Sequence, residues 1–295
     1  MSQTLEASRA QRAEDMTVRP LDPVMGAEII GLDLGQPLSD EVFAKLQDLF
    51  IEYKLLCFRD QTLSLDQQIA FTERWGVPLE HTMASHVNAG PRNKVQVASN
   101  VGPDGKPNGK HPDVTAMRWH TDRSWRRDPA LATILYGVEV PSLGGDTLFV
   151  NCTKAYDALP HDMKTRIDPL FAVHSVEYSR KTAPEGPAAT EYELRNHPPV
   201  AHPLARTHPA TGKRSLYIGC HAWKIDGLAE EEGRRLLDEL LEFATQPPYV
   251  YAHKWRRHDL LMWDNRCTLH AATPYDTTRE LRTMYRTVVS GGPTH

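Results

Sequence analysis

A chain of 295 residues, 40% hydrophobic and 24% charged, is long enough to bury a sizeable core, and a formal net charge of −4 offers no basic surface for DNA or RNA. Its N-terminus carries no apolar signal segment, and nothing later approaches the roughly 18 apolar residues that a membrane span needs. The four cysteines, Cys57, Cys152, Cys220 and Cys267, form no C-x-x-C pair, so buried free thiols and a cytoplasmic location are the expectation.

Residues 1–16 are polar and read as a flexible tail, with one domain running from 17 to 295. Val42, Leu46, Leu49 and Tyr53 recur at helical steps and predict an amphipathic helix over 40–53, followed by a buried strand in LLCFR at 55–59. Ser64 with Gln67 fits a capping box for a second helix, with Leu65, Ile69 and Trp75 as its apolar contacts and Gly76 and Pro78 as its stop. Residues 99–115 and 180–199 are rich in Pro and other loop-forming residues, and both are candidate lids or tolerated surface insertions. Short strands are expected at 131–138, 147–150, 170–176, 200–206, 214–218, 249–255, 259–263 and 283–289, with one late helix over 229–244 carrying Leu236, Leu237, Leu240, Leu241 and Phe243. Many short strands separated by turns indicate a β-sandwich or barrel.

The chemistry concentrates in WHTDRSW, which holds His120 and Asp122, and in WDNRCTLHAATPYD, which holds His270. Two imidazoles and one carboxylate form the facial set that binds non-haem Fe(II) with positions left open. If residues 118–122 are extended, His120 and Asp122 project from one strand face, and the third ligand must come from another strand. An isolated His-x-Asp is more often solvated or structural than metal-binding. Further residues change that weighing: Thr147 follows a glycine turn in GGDTLFVN, and Arg282 and Arg286 share one face of an extended RELRTMYRTVV.

With these pieces in this order, together with KAYDALP and AHPLARTHPATGKRSLYIG, the chain resembles the TauD/TfdA family of Fe(II)- and 2-oxoglutarate-dependent dioxygenases over most of residues 17–292. The resemblance implies a mainly β fold with flanking helices, the double-stranded β-helix or jelly roll. It implies His120, Asp122 and His270 as iron ligands, and Thr147 and Arg282 as the hold on the distal carboxylate of 2-oxoglutarate. With O2 as the other cosubstrate, a substrate C–H bond would be hydroxylated while 2-oxoglutarate gives succinate and CO2. The carboxylate of Asp122 fills the position that related halogenases leave to halide, which favours hydroxylation.

For the substrate, the resemblance suggests a small organic anion, a carboxylate such as an aryloxyalkanoate or a sulfonate or sulfate ester, met by Arg286 and His81. Arg123 and Trp125 depart from the family pattern and would add a cation and a bulky aromatic beside the metal. Trp119 is expected to pack in a sheet, and Trp263, Asp264, Asn265 and Arg266 to fix the turn aiming His270. His174, His202, His208 and His221 have no ligand role. A zinc hydrolase uses similar ligands, and a jelly-roll binding protein could keep the pocket without turnover; neither needs the full set of Thr147 and the arginines. No nucleic-acid or membrane partner is expected, and assembly into a homo-oligomer stays open.

Overall fold

The strand Leu260–Asp264 is buried along its whole length, and its alternation organises the molecule. Leu260 and Met262 pack with Val42, Leu46, Phe50 and Phe71 from two outer helices, whereas Leu261 and Trp263 pack with Phe149 and Tyr251 of a facing sheet. The computed structural model describes residues 11–80, 93–183 and 188–294. Its larger sheet has seven strands in the order Thr17–Pro20, Ala27–Ile30, Leu55–Phe58, Leu260–Asp264, Ala130–Glu139, Thr283–Ser290, Gln96–Ser99. The facing three-stranded sheet runs Val250–His253, Thr147–Asn151, Thr268–Ala272. Together they form the expected jelly roll, and smaller sheets built on Phe171–His174 and Ala205–Thr207 extend it.

Local signals explain the helices. Asp40–Tyr53 starts at Ser39, whose hydroxyl accepts from Val42 N, and Leu65–Trp75 starts at the reciprocal Ser64/Gln67 capping box. The buried face of the second helix is Gln68, Phe71 and Thr72, while Leu65 and Ile69 stay half-buried. Gln68 Nε2 donates to Tyr285 O at 2.9 Å, and Thr72 Oγ1 lies 2.7 Å from Thr287 Oγ1, so polar contacts tie this helix to the Thr283–Ser290 strand. The late helix, Glu230–Ala244, buries Leu236, Leu237 and Leu240 as its stripe requires.

Three expectations need correction. Ala13 and Met16 are buried in the core, so the packed chain begins at least as early as Gln11 rather than at Thr17. The stretch 180–199 is not all loop: Val176–Lys181 runs into it, and Glu191–Asn196 is a helix held by a Thr190/Glu193 capping box. The strand Thr268–Ala272, which carries His270, joins the expected set because it pairs along its length with Thr147–Asn151. Among the described residues no helix is long and apolar enough to cross a membrane.

Candidate metal centre and anion pocket

His120 meets the strand of His270 through one bridge, in which His120 N donates to His270 O at 3.0 Å and His270 N to His120 O at 2.8 Å. Residues paired in this way present both side chains on one face, and the imidazole centroids lie 4.1 Å apart. Asp122 reaches the same place differently from the extended i, i+2 geometry expected of it. It sits in a turn, with Arg123 in the left-handed region at φ 57° and Asp122 N donating to Asn265 Oδ1 at 3.3 Å. The Nε2 atoms of His120 and His270 each lie 3.7 Å from a carboxylate oxygen of Asp122.

Surrounding contacts fix the donor atoms of His120 and Asp122, whereas His270 Nδ1 is buried without a hydrogen-bond partner among the described residues. His120 Nδ1 lies 2.7 Å from Arg118 O; a carbonyl only accepts, so Nδ1 carries the proton and Nε2 keeps its lone pair for a metal. Thr133 Oγ1 donates to Asp122 Oδ2 at 2.5 Å, Asn265 Nδ2 donates to Thr133 Oγ1 at 2.9 Å, and Trp263 Nε1 donates to Asn265 Oδ1 at 3.1 Å. Arg286 pairs with Asp122 Oδ1. Burial opposes the charge on Asp122, but Arg286, by its charge and its hydrogen bond, outweighs it and helps hold the carboxyl well below its ordinary value. Burial keeps His270 neutral.

Two imidazole nitrogens and a carboxylate, all within 4.8 Å of one another, fit Fe(II) by their donor chemistry. Two further buried clusters each join one imidazole and one carboxylate to a cysteine, Cys57 or Cys267, whose thiol burial keeps protonated and so unfit to bind a metal. Asp264 takes a two-pronged contact from Arg266 as well as His208 Nε2, and Asp259 takes Arg59, His253 and the backbone N of Arg256.

A cavity of about 150 Å³ opens beside the triad. Gly144 and Gly145, with φ of 74° and 67°, turn the chain into the Thr147–Asn151 strand, and a Cβ on Gly144 would stand 2.5 Å from Pro274 O. Thr147 Oγ1 accepts from Trp255 Nε1 at 3.0 Å, which leaves the hydroxyl hydrogen for a ligand. Arg282 also lines the cavity and is 6% exposed; its Nε has no hydrogen-bond partner among the described residues, and burial lowers its pKa. A buried guanidinium of this kind suits a ligand carboxylate.

Arg286, Arg123 and Trp125 line the same cavity, so the structure brings three of the four expected substrate residues to it; His81 lies outside the described residues. Arg286 Nη1 also donates to Gln96 Oε1 at 2.8 Å. Burial first, then Arg286, pushes Arg123 down to about 10, and its guanidinium stands 5.3 Å from the Trp125 ring centre. Sequence reasoning missed Thr133, Trp255 and Arg118, and gave His221 no ligand role without placing it at the cavity. Arg118 links the metal approach to a neighbouring helix through Ser179 O at 2.5 Å, and His221 shares the cavity wall. Arg118 stands two residues before His120, but no spacing relation to the triad marks Thr133 or Trp255.

A jelly roll that gathers two imidazoles and a carboxylate beside a buried guanidinium has the makings of a non-haem iron oxygenase with an anionic cosubstrate. The chain belongs to the taurine catabolism dioxygenase TauD, TfdA family, whose model matches residues 17–288. It is 40% identical over 286 residues to an (S)-phenoxypropionate/alpha-ketoglutarate-dioxygenase of Sphingobium herbicidovorans, covering 94% of this chain and 95% of that one. It is 39% identical over 278 residues to an alpha-ketoglutarate-dependent 2,4-dichlorophenoxyacetate dioxygenase of Cupriavidus pinatubonensis, covering 90% and 96%. The crystal structure of AAD-2 in complex with Mn(II) and N-oxalylglycine superposes with a TM-score of 0.84 at 36% identity, covering 95% of this chain and 98% of that one. The protein is a dioxygenase that uses Fe(II), 2-oxoglutarate and O2.

Proposed function

We propose that the enzyme hydroxylates a C–H bond of a small organic anion, an aryloxyalkanoate before a sulfonate or sulfate ester, and releases succinate and CO2. The observation that carries this reading is one cavity in which the triad, Arg282 with Thr147, and Arg286 all converge. His120, Asp122 and His270 would hold Fe(II), which when bound supplies oxygen activation coupled to decarboxylation of 2-oxoglutarate. Arg282 and the Thr147 hydroxyl would bind the distal carboxylate of that cosubstrate. Arg286 would meet the acid group of the substrate while Trp125 contacts its body, so that the reacting C–H bond faces the metal. His81 and Arg123 would add to the same anion contact. The relatives named for phenoxypropionate and 2,4-dichlorophenoxyacetate support an aryloxy acid. When the attacked carbon bears an ether oxygen, the hydroxylated product would collapse. The chain from Gln11 onward would act as one domain in the cytoplasm, consistent with four free cysteines.

Comparing an aryloxy acid with its neutral amide tests the substrate assignment. The wild type should turn over the acid and use the amide poorly, and Arg286→Ala should weaken acid binding with little effect on the amide, because a buried anion without its cation loses solvation and gains nothing. Since Arg286 also touches Asp122, iron affinity must be measured alongside. Equal use of acid and amide by the wild type, or loss of 2-oxoglutarate binding alone in the variant, overturns the assignment.

A further inference from the structure

The 99–115 segment is fastened to the chain that leads into Arg282. Asn100 N donates to Arg282 O at 3.1 Å, and Arg282 N donates to Asn100 Oδ1 at 2.7 Å. Asn100 Nδ2 donates to Glu280 O at 2.9 Å, and Gly109 N to Thr277 O at 3.1 Å. These bonds bring His111 into the wall of the cavity that also contains Arg282 and Thr147, with its ring 5.5 Å from that of Tyr275.

The protonation of His111 can be read from its contacts. Asp113 N donates to His111 Nδ1 at 3.2 Å; only an unprotonated ring nitrogen accepts, so the proton of the neutral imidazole lies on Nε2. Burial, reinforced by the charge of Arg282, keeps the ring neutral. His111 Nε2 is buried without a hydrogen-bond partner among the described residues, as are Arg282 Nε and Tyr275 Oη. Buried donors are normally satisfied, and leaving one open is unfavourable. A carboxylate offers about four acceptor positions, more than Arg282 and one hydroxyl fill.

We propose that His111 Nε2–H is a further donor to the distal carboxylate of 2-oxoglutarate, so that His111 helps select a dicarboxylic 2-oxo acid over one lacking that group. The proposal rests on 2-oxoglutarate lying against Arg282 and Thr147. A cosubstrate held in this way also ties the 99–115 segment down over the cavity, since His111 is part of that segment. His111 thereby couples cosubstrate binding to the position of a segment whose Pro112 and Thr115 also line the cavity.

The test is calorimetric titration of the full-length, Mn(II)-loaded protein, which binds without turnover. Wild type, His111→Ala, His111→Gln and Arg282→Ala are each titrated with 2-oxoglutarate and with 2-oxobutyrate, which keeps the chelating end but lacks the distal carboxylate. His111→Ala should raise the Kd for 2-oxoglutarate about tenfold, as expected for one charge-assisted hydrogen bond, and leave that for 2-oxobutyrate unchanged. His111→Gln, which retains a donor, should recover most of the loss. Equal weakening toward both 2-oxo acids would show that His111 only buttresses the loop, and equal losses in the Ala and Gln variants would count against donation; either overturns the proposal. Unchanged 2-oxoglutarate affinity in His111→Ala, with a large loss in Arg282→Ala, overturns the role of His111 alone. Unchanged affinity in Arg282→Ala overturns the cosubstrate site itself.

Discussion

At the scale of single residues, the two oxygens of Asp122 have different partners, and the difference bears on how the carboxylate binds metal. Oδ2 accepts from Thr133 Oγ1, which in turn accepts from Asn265 Nδ2, while Oδ1 faces Arg286. Thr133 is a positioning residue: it touches the ligand, not the substrate. Thr133→Val keeps the side-chain shape but removes the donor and leaves the Asn265 amide without its acceptor. Loss of such outer contacts typically lowers metal affinity about 10- to 100-fold, and a shift near the lower end of that range is expected. The ratio of succinate to hydroxylated product should also rise, because a loosened carboxylate misaligns the reacting centre, and Thr133→Ser should restore both. Unchanged metal affinity and an unchanged ratio in the valine variant would show that Thr133 merely fills space.

Among the elements, the glycine turn ahead of Thr147 permits a sharper test than the strands do. Gly144 and Gly212 both have positive φ, but an added Cβ meets Pro274 O at 2.5 Å in the first and nothing within 4 Å in the second. Gly212→Ala should therefore cost only its backbone strain, about 1 kcal/mol. Gly144→Ala should cost at least about 2 kcal/mol and also weaken 2-oxoglutarate binding, because the turn sets the start of the strand that carries Thr147. Urea unfolding of both variants distinguishes the cases, and equal losses would contradict the steric argument. The elements legible in the sequence were those whose signal is local. The helices at 40–53 and 65–75 have caps and periodicity, the strands alternate, and the triad has a motif. What stayed hidden depends on distant contacts. The turn under Asp122 needs Arg123 in a left-handed conformation that no glycine announces. His111 gains its meaning only when Asn100 bonds to the Arg282 backbone. The Glu191–Asn196 helix was masked by prolines around it, although Thr190 and Glu193 carried its capping signature.

Across the whole molecule, several imidazoles are sequestered from water, and this sets where the fold should fail in acid. His174 and His253 are fully buried and His202 is 1% exposed; burial lowers the pKa of each, that of His202 to about 4. His202 also joins the fold to the site, because its Nε2–H donates to Ser124 O at 2.8 Å and Arg126 O at 3.1 Å, just beyond the Asp122 turn. An unfolded histidine titrates near pH 6.5. Between about pH 6.5 and 4 the unfolded chain takes up protons that the folded one refuses, so stability falls as pH falls, by about 1.4 kcal/mol per unit for each such group and about 3 kcal/mol in all for His202. Asp122 and Asp264, whose pKa values are also lowered, act in a lower window: their contribution is complete above the unfolded carboxylate value near about 4 and is lost only below it. Melting of the metal-free protein, with chelator present so that ligand loss does not contribute, should therefore decline steadily from pH 7 to pH 5, before carboxylates titrate. His202→Asn should be less stable at pH 7.5 but show a shallower decline. A melting temperature that stays flat from pH 7.5 to 5 would mean that these buried rings accept protons in the folded state.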